Sequence, residues 1–342
     1  MSSGAPDSSA GSRPLLEVVG LHTHFKTPRG VARAVDGISF KLERGRMLGI
    51  VGESGSGKSV LSRTIIDILP HDGSVLYRGN VLFEGRDLRT LSKRQMRGIR
   101  GRDIAMVFQD PMSSLNPVIK IGRQITEVLE KRRGFSSADA RSQAAKLVAS
   151  VGIPDPEQQL NRYPMHLSGG MRQRVAIAIA LAGEPKLLIA DEPTTALDVS
   201  VQAQIMGLLR RIQKERNMAV IFISHNLGII AGYTDDVAVM YAGQIVEYCE
   251  TQELLNNMRM PYTEVLKDSA PELSARPHSR LAAIPGLPPS LLDVPPGCRF
   301  HERCRYARHK CKTEMPALGA GDGDDGHLYA CWFPLPDRRA RT

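Results

Sequence analysis

Gly52-Glu-Ser-Gly-Ser-Gly-Lys-Ser59 is a GxxxxGKS phosphate loop, and its flanks supply the context such a loop requires. Ahead of it runs Met47-Leu-Gly-Ile-Val51, a short apolar stretch of buried-strand type. Behind it, Ser59 to Leu69 has helical spacing, with Val60, Leu61, Thr64, Ile65, Ile68 and Leu69 on one side. Strand, loop and helix in that order build an anion site. Gly52, Ser54, Gly55, Ser56 and Gly57 supply a turning backbone whose N–H groups face inward, and Val60 lies in the helical turn whose dipole adds to them. Lys58 then reaches the β and γ phosphates and Ser59 ligates magnesium, so the stretch predicts a bound nucleoside triphosphate.

The chain has 342 residues, ample for a full core plus extra modules, and its 42% hydrophobic content is that of a globular protein. The longest apolar run, Val175 to Ala182, falls far short of the roughly 20 residues needed to cross a bilayer, so no span is expected. Met1 to Arg13 is rich in Ser, Gly and Ala and reads as a disordered tail, not a secretion signal, which places the protein in the cytoplasm. Five cysteines in that compartment argue against a disulfide framework and leave metal or redox roles open. The net charge of +9 is compatible with nucleic acid, a membrane surface or an acidic partner. Its two basic segments, Lys93 to Arg102 and Arg299 to Lys312, carry no recognition helix or stacking aromatics, so they read as solvated or headgroup-facing surface and no nucleic acid is expected.

From Leu15 to Leu48 short β-type runs alternate with turns: Leu15 to Val19, Leu21 to Phe25, and Ala34 to Leu42, an antiparallel layer feeding the loop strand. Gly73 to Tyr77 and Asn80 to Phe83 read as further short strands. Asp103 to Phe108 is a buried strand, followed by Gln109, an amide able to ligate magnesium and orient water. Residues from about 117 to 181 are mostly helical, with amphipathic spacing over Ile121–Lys131 and Ser137–Ser150. Ser168, Gly169 and Gly170 precede the helix Arg172 to Ala182, either as a plain cap or as a second anion site lacking a lysine of its own. Lys186 to Ala190 is a strand presenting Asp191 and Glu192, an acid pair suited to holding magnesium and polarising water. A helix spans Ser200 to Ile212, and Ala219 to Ser224 is a strand delivering His225 at its carboxyl end, where ligands gather in an open α/β sheet.

Together, Gly52 to Ser59, Gln109, Leu167 to Met171, Leu187 to Glu192, Ala196 to Asp198 and His225 resemble the nucleotide-binding subunit of an ATP-binding cassette (ABC) transporter, over about Leu15 to Glu250. The resemblance implies an α/β fold: a RecA-like P-loop NTPase core with an antiparallel β subdomain, an inserted helical subdomain over about 112–182, and a C-terminal extension over 251–342. It also implies a head-to-tail dimer of ATPase subunits. There Ser168, Gly169 and Gly170 meet the γ phosphate on the partner's loop, Phe25 stacks on adenine, Gln109 contacts magnesium and water, Asp198 lines the seam and His225 holds the γ phosphate. Met171 stands where many members have glutamine. Glu192 is present, so a hydrolytically competent site is expected.

Beyond Glu250, Tyr262 to Leu266, Ile284 to Ser290 and Pro296 to Cys304 resemble the C-terminal extension of oligopeptide and dipeptide importers. This branch implies an ATPase at the cytoplasmic face of the bacterial inner membrane. Its partners are a second ATPase subunit, two permease subunits and an extracytoplasmic solute-binding protein. Soluble cassette ATPases acting on nucleic acid are the rival class; a P-loop kinase would have no need of Leu167 to Met171. Cys298, Cys304, Cys311 and Cys331 have spacings x5, x6 and x19, with Cys249 apart. Four thiolates amid Arg299, Arg303, Arg305, Arg308 and Lys310 are compatible with zinc, a [4Fe–4S] cluster or free thiols, and the importer branch includes members with such a cluster.

Overall fold

The central strands are apolar along most of their length because both their faces are covered, and alternate residues enter two separate cores. The computed structural model describes residues 13–110, 114–194, 197–269, 284–321 and 324–337. In chain order the strands are β1 (Leu16–Thr27), β2 (Gly30–Leu42), β3 (Met47–Val51), β4 (Val75–Phe83), β5 (Arg86–Asp87), β6 (Ile104–Val107), β7 (Leu187–Asp191), β8 (Ala219–Ser224), β9 (Asp236–Tyr241), β10 (Gln244–Glu250), β11 (Gly319–Gly321) and β12 (Asp324–Tyr329). Among the described residues they form a four-stranded antiparallel sheet, β2-β1-β4-β5, and an eight-stranded sheet, β11-β12-β10-β9-β3-β8-β7-β6, parallel from β9 to β6.

Leu187, Ile189, Ile221, Ile223, Ala238 and Met240 enter one core, shared with the antiparallel sheet and the helix Lys58–Ile65. Their neighbours Leu188, Ala190, Val220, Phe222, Val237 and Val239 enter the other, shared with the helices. Fully burying each such aliphatic or aromatic side chain contributes about 1.5–3 kcal/mol, so the frame under the carboxyl edge is rigid. Asp235, just before β9, ties the helix Val199–Arg216 to the loop strand. It accepts from Arg210 at 2.6 and 2.8 Å and from the Met47 N–H at 2.7 Å.

The antiparallel sheet departs from the sequence expectation in two places, for one reason. Leu15 to Val19 and Leu21 to Phe25 read as separate runs, yet they form one strand with a bulge after Val18, which restores the alternation so that Leu21 and Thr23 face inward. Likewise Gly73–Tyr77 and Asn80–Phe83 are one strand, bent at Gly79. Gly79 has φ 82°, and a side chain there would meet the Gly20 carbonyl at 2.2 Å, so two glycines cross where the bulge brings the backbones together.

The helix after the phosphate loop ends at Ile65, not Leu69. Asp67 takes φ 55°, and the Arg100 guanidinium caps the freed Ile66 carbonyl at 2.7 Å, leaving Ile68 exposed. Helices Ile121–Val128, Ser137–Ser150, Pro156–Leu160 and Gly169–Leu181 occupy the interval between β6 and β7. The expected tail, apart from Arg13, and the motif residue Ala196 lie outside the described residues.

The C-terminal segment is more integrated than a tail pinned by cysteines. β12 pairs with β10 through Glu247–Tyr329 and Tyr248–Leu328, and β11 adds beyond it, so the extension continues the main sheet. Tyr241 of β9, Tyr262 of the helix Pro261–Asp268 and Phe300 are all buried, with ring centroids 4.5, 5.3 and 5.3 Å apart. Such aromatic pairs add about 0.5–1.5 kcal/mol each beyond area burial. The basic run Arg299–Lys312 is likewise not simply a solvated face: Arg299 and Arg303 are 4% and 5% exposed and engaged in ion pairs with Asp36 and Glu53.

Candidate active site

Four adjacent parallel strands deliver their next residues to one edge. β3 runs into the phosphate loop, β7 ends in Asp191 with Glu192 behind it, β8 ends one residue before His225, and Gln109 follows β6 by two residues. Loops and helix starts therefore converge at the carboxyl edge, the location physics favours for a ligand in such a sheet. Ser54, Gly55, Gly57, Lys58, Ser59, Val60, Gln109, Glu192 and His225 line a single cleft of about 590 Å³, closed by Ala34 of β2 and Leu291 of the extension.

The loop is fixed from within. Gly57 has φ 102°, and a side chain on it would meet the Ala34 carbonyl at 2.1 Å, so only glycine lets the helix start this close to β2. Lys58, 4% exposed, donates to the carbonyls of Gly52 at 2.8 Å and Glu53 at 2.9 Å, and lies 3.8 Å from Glu192 Oε1. Burial pushes its ammonium below the ordinary lysine value, against the pull of the carboxylates of Glu192, Asp191 and Glu53. Ser59 Oγ donates to Asp191 Oδ1 at 2.9 Å. Burial raises the Asp191 carboxyl and the Ser59 hydrogen bond lowers it, with burial prevailing. A hydroxyl and a carboxylate oxygen side by side, with the Gln109 amide in the same cleft, form an oxygen donor set that fits magnesium, which keeps several of its waters.

Glu192 is the hub. Its carboxylate meets Gln109 Nε2 at 3.3 Å, His225 Nδ1 at 3.3 Å and Lys58 at 3.8 Å. Its backbone takes φ 46°, a left-handed conformation uncommon outside glycine, and its N–H donates to the Ile223 carbonyl of β8 at 3.1 Å. Strain of this kind costs about 1–3 kcal/mol and persists where the surroundings dictate it. The arrangement can polarise a water beside a phosphoryl group that Lys58 and the loop hold.

Ser168, Gly169, Gly170, Asp198 and Phe25 are not among the residues lining this cleft. Ser168 caps its own helix, its Oγ accepting from the Met171 N–H at 3.3 Å, while Gly169 and Gly170 face Leu197 and Val201. Beside them Asp198 caps the helix Val199–Arg216, accepting from the Val201 N–H at 2.9 Å. Phe25 pairs with Ala32 and Val75 in the antiparallel sheet, and of that sheet it is Ala34 that lines the cleft. Ala34 and Leu291 are the lining residues that sequence reasoning did not find; a small apolar side chain in a strand and a leucine in a Pro-rich stretch carry no signal.

Cys298, Cys304, Cys311 and Cys331 line one small cavity with Phe300 and Trp332, and none of them is in a disulfide. Burial, reinforced by the neighbouring thiols, pushes Cys298 up to about 11 and Cys331 up to about 12, and raises Cys304. Of the basic residues expected to offset their charge, Arg308 lies over Phe333 and Lys310 over Trp332, both rings of the same cavity wall, and Arg305, paired with Glu264, opposes the rise at Cys304. Among the described residues the donors close enough to share one ion are those of His22, His24 and Asp36, within 4.8 Å of one another. Asp36 there is already bound by Arg299, and both imidazoles point at its other oxygen at 2.9 Å.

The chain matches the family model described as ABC transporter over residues 35–195 and that described as oligopeptide/dipeptide transporter, C-terminal region, over residues 246–311. It is 49% identical over 324 residues to the "Oligopeptide transport ATP-binding protein OppD" of Bacillus subtilis, covering 94% of this chain and 90% of that one. It is 45% identical to the "Dipeptide transport ATP-binding protein DppD" of Escherichia coli, covering 94% and 98%. A dimeric ATP-binding cassette in a post-hydrolysis state bound to ADP and Pi superposes with a TM-score of 0.62 at 25% identity, covering 69% of this chain and 98% of that one. A Clostridium perfringens cassette, cbiO1, superposes at 0.60 with 29% identity, covering 71% and 90%.

Proposed function

This chain belongs to the ATP-binding cassette transporter family, and from that premise we propose that it is the ATP-hydrolysing subunit of a bacterial importer of peptides or related small solutes. The observation that carries the peptide assignment is its C-terminal region, which matches the oligopeptide/dipeptide transporter model over residues 246–311, and peptide-transport ATPases align with the chain along nearly their whole length. Among the described residues no helix is long and apolar enough to cross a membrane; the likeness to peptide-transport ATP-binding proteins supports permease subunits as partners. We place the chain on their cytoplasmic face, with a solute-binding protein outside and a second ATPase subunit alongside.

In the proposed mechanism Lys58 and the loop N–H groups hold the triphosphate, Ser59, Gln109 and Asp191 hold magnesium, Glu192 polarises the attacking water and His225 steadies the γ phosphate. Magnesium supplies charge neutralisation on the phosphates. The pair Ser59–Asp191 is preset for it at 2.9 Å. Ser168, Gly169 and Gly170, turned away from this chain's own loop, are free to serve the partner's, with Asp198 at the seam and Phe25 stacking on adenine. The domain division follows: 14–250 the ATPase domain, with the helical subdomain over about 112–182, and 251–342 the extension.

Co-expression with the permeases and solute-binding protein tests this reading. Hydrolysis in the assembled complex should rise several-fold when the binding protein carries peptide. Stimulation by DNA or RNA with no co-purifying membrane protein would instead establish the nucleic-acid rival.

We further propose that the four thiols hold a [4Fe–4S] cluster in preference to zinc. What supports this reading is that all four cysteines line one small cavity, so they offer the all-sulfur donor set that such a cluster takes. Protein purified without air should contain about four irons and four acid-labile sulfides per chain; zinc without sulfide would overturn the assignment.

A further inference from the structure

We infer that the C-terminal extension completes the ATP site: Tyr262 and Arg303 are positioning residues that hold the phosphate loop, through Glu53, in the form that receives the triphosphate. The inference rests on the proposed ATP site and concerns a residue of the loop that no phosphate-binding role requires. Every polar group of Glu53 is engaged. Its N–H donates to Tyr262 Oη at 2.9 Å, its carbonyl accepts from Lys58 at 2.9 Å, and its carboxylate accepts a two-pronged contact from Arg303, both bonds 2.8 Å.

Arg303 is itself immobilised. Its Nε donates to the Pro285 carbonyl at 2.8 Å, Nη1 also reaches Tyr241 Oη at 3.1 Å, and its side chain is 5% exposed. A guanidinium fork on a carboxylate fixes orientation as well as distance, which a single flexible contact would not. Two parallel anchors hold the surrounding backbone. Arg299 binds Asp36 and the Ala242 carbonyl, and the Arg33 N–H donates to the Leu291 carbonyl at 2.9 Å, setting Leu291 against the cleft. The extension therefore grips β2, the turn after β9 and the loop itself.

A loop of glycine and serine has a large conformational entropy to lose on wrapping a triphosphate. Clamping one end beforehand removes part of that cost from binding, so the clamp acts on ATP affinity. It makes no contact with the transferred phosphoryl group, so it should act equally on ground and transition states and appear in KM and not in kcat.

The full-length chain is assayed for MgATP affinity with a fluorescent ATP analogue, and the assembled complex for KM and kcat. Tyr262→Phe, which keeps the buried ring and deletes only the acceptor, should weaken MgATP binding about three- to tenfold, the value of one hydrogen bond. Arg303→Ala should weaken it further and Arg303→Lys should recover part of the loss, each with kcat within about twofold of the parent. Arg303→Ala with Glu53→Ala should be no weaker than the worse single variant, because both remove one contact. Parent-like affinity in Tyr262→Phe and Arg303→Ala overturns the inference, as does a fall in kcat at unchanged KM. Should Arg303→Ala fail to fold, Tyr262→Phe decides alone. Failure of the parent chain to bind MgATP would sink the ATP site itself, a separate result.

Discussion

Glu192→Gln should bind MgATP as tightly as the parent while hydrolysis in the assembled complex falls about 10²–10⁴-fold, the range a positioned general base contributes. The amide is the same size and keeps an oxygen for the contacts at 3.3 Å to Gln109 and His225, so the strained turn at φ 46° need not rearrange. What it loses is the negative charge that polarises water and can accept its proton. That charge is also one of three acting on Lys58, so the variant removes a competitor for the ammonium and affinity should rise if it changes at all. Binding by nucleotide titration and turnover by phosphate release separate the two effects. Turnover within threefold of the parent would remove Glu192 from this role and shift attention to His225.

The parts of the site that could be read from sequence are those whose chemistry is contiguous. Gly52 to Ser59 carries its own strand and helix, and Ala219 to Ile223 is apolar at every position because both faces are covered, so the strand's end and His225 could be placed. Asp191 and Glu192 followed for the same reason. Gly20 and Gly79 could not be paired: each looks like a turn, and only their crossing reveals one bent strand in place of two short ones. The Arg303–Glu53 contact was equally invisible, spanning 250 positions. In a basic run, an arginine destined for burial against a carboxylate is the same letter as one left in water. The extension's strands β11 and β12 were hidden by Gly, Asp and Ala, residues with weak strand preference that β10 nevertheless recruits by offering an open edge.

Lys58→Ala should lower MgATP affinity by about 100-fold or more and abolish hydrolysis. The lysine does two jobs at once. It is the cation for the phosphates, and it holds the carbonyls of Gly52 and Glu53 inward at 2.8 and 2.9 Å. Deleting it leaves two carbonyl oxygens directed at the place meant for an anion, with the carboxylates of Glu192 and Asp191 behind them and no ammonium to offset either. Charge-assisted hydrogen bonds are worth about 1.5–3 kcal/mol apiece, so losing the phosphate contacts alone accounts for a loss of that size. Charge by itself is not sufficient for rescue. Lys58→Arg keeps the cation, but a planar guanidinium fork cannot reproduce the compact ammonium that meets the carbonyls of Gly52 and Glu53, so it should recover little of the lost affinity. Titration of both variants with a fluorescent ATP analogue checks this. Near-parent affinity in Lys58→Ala would mean that the loop N–H groups suffice and that the buried ammonium serves the loop's shape alone.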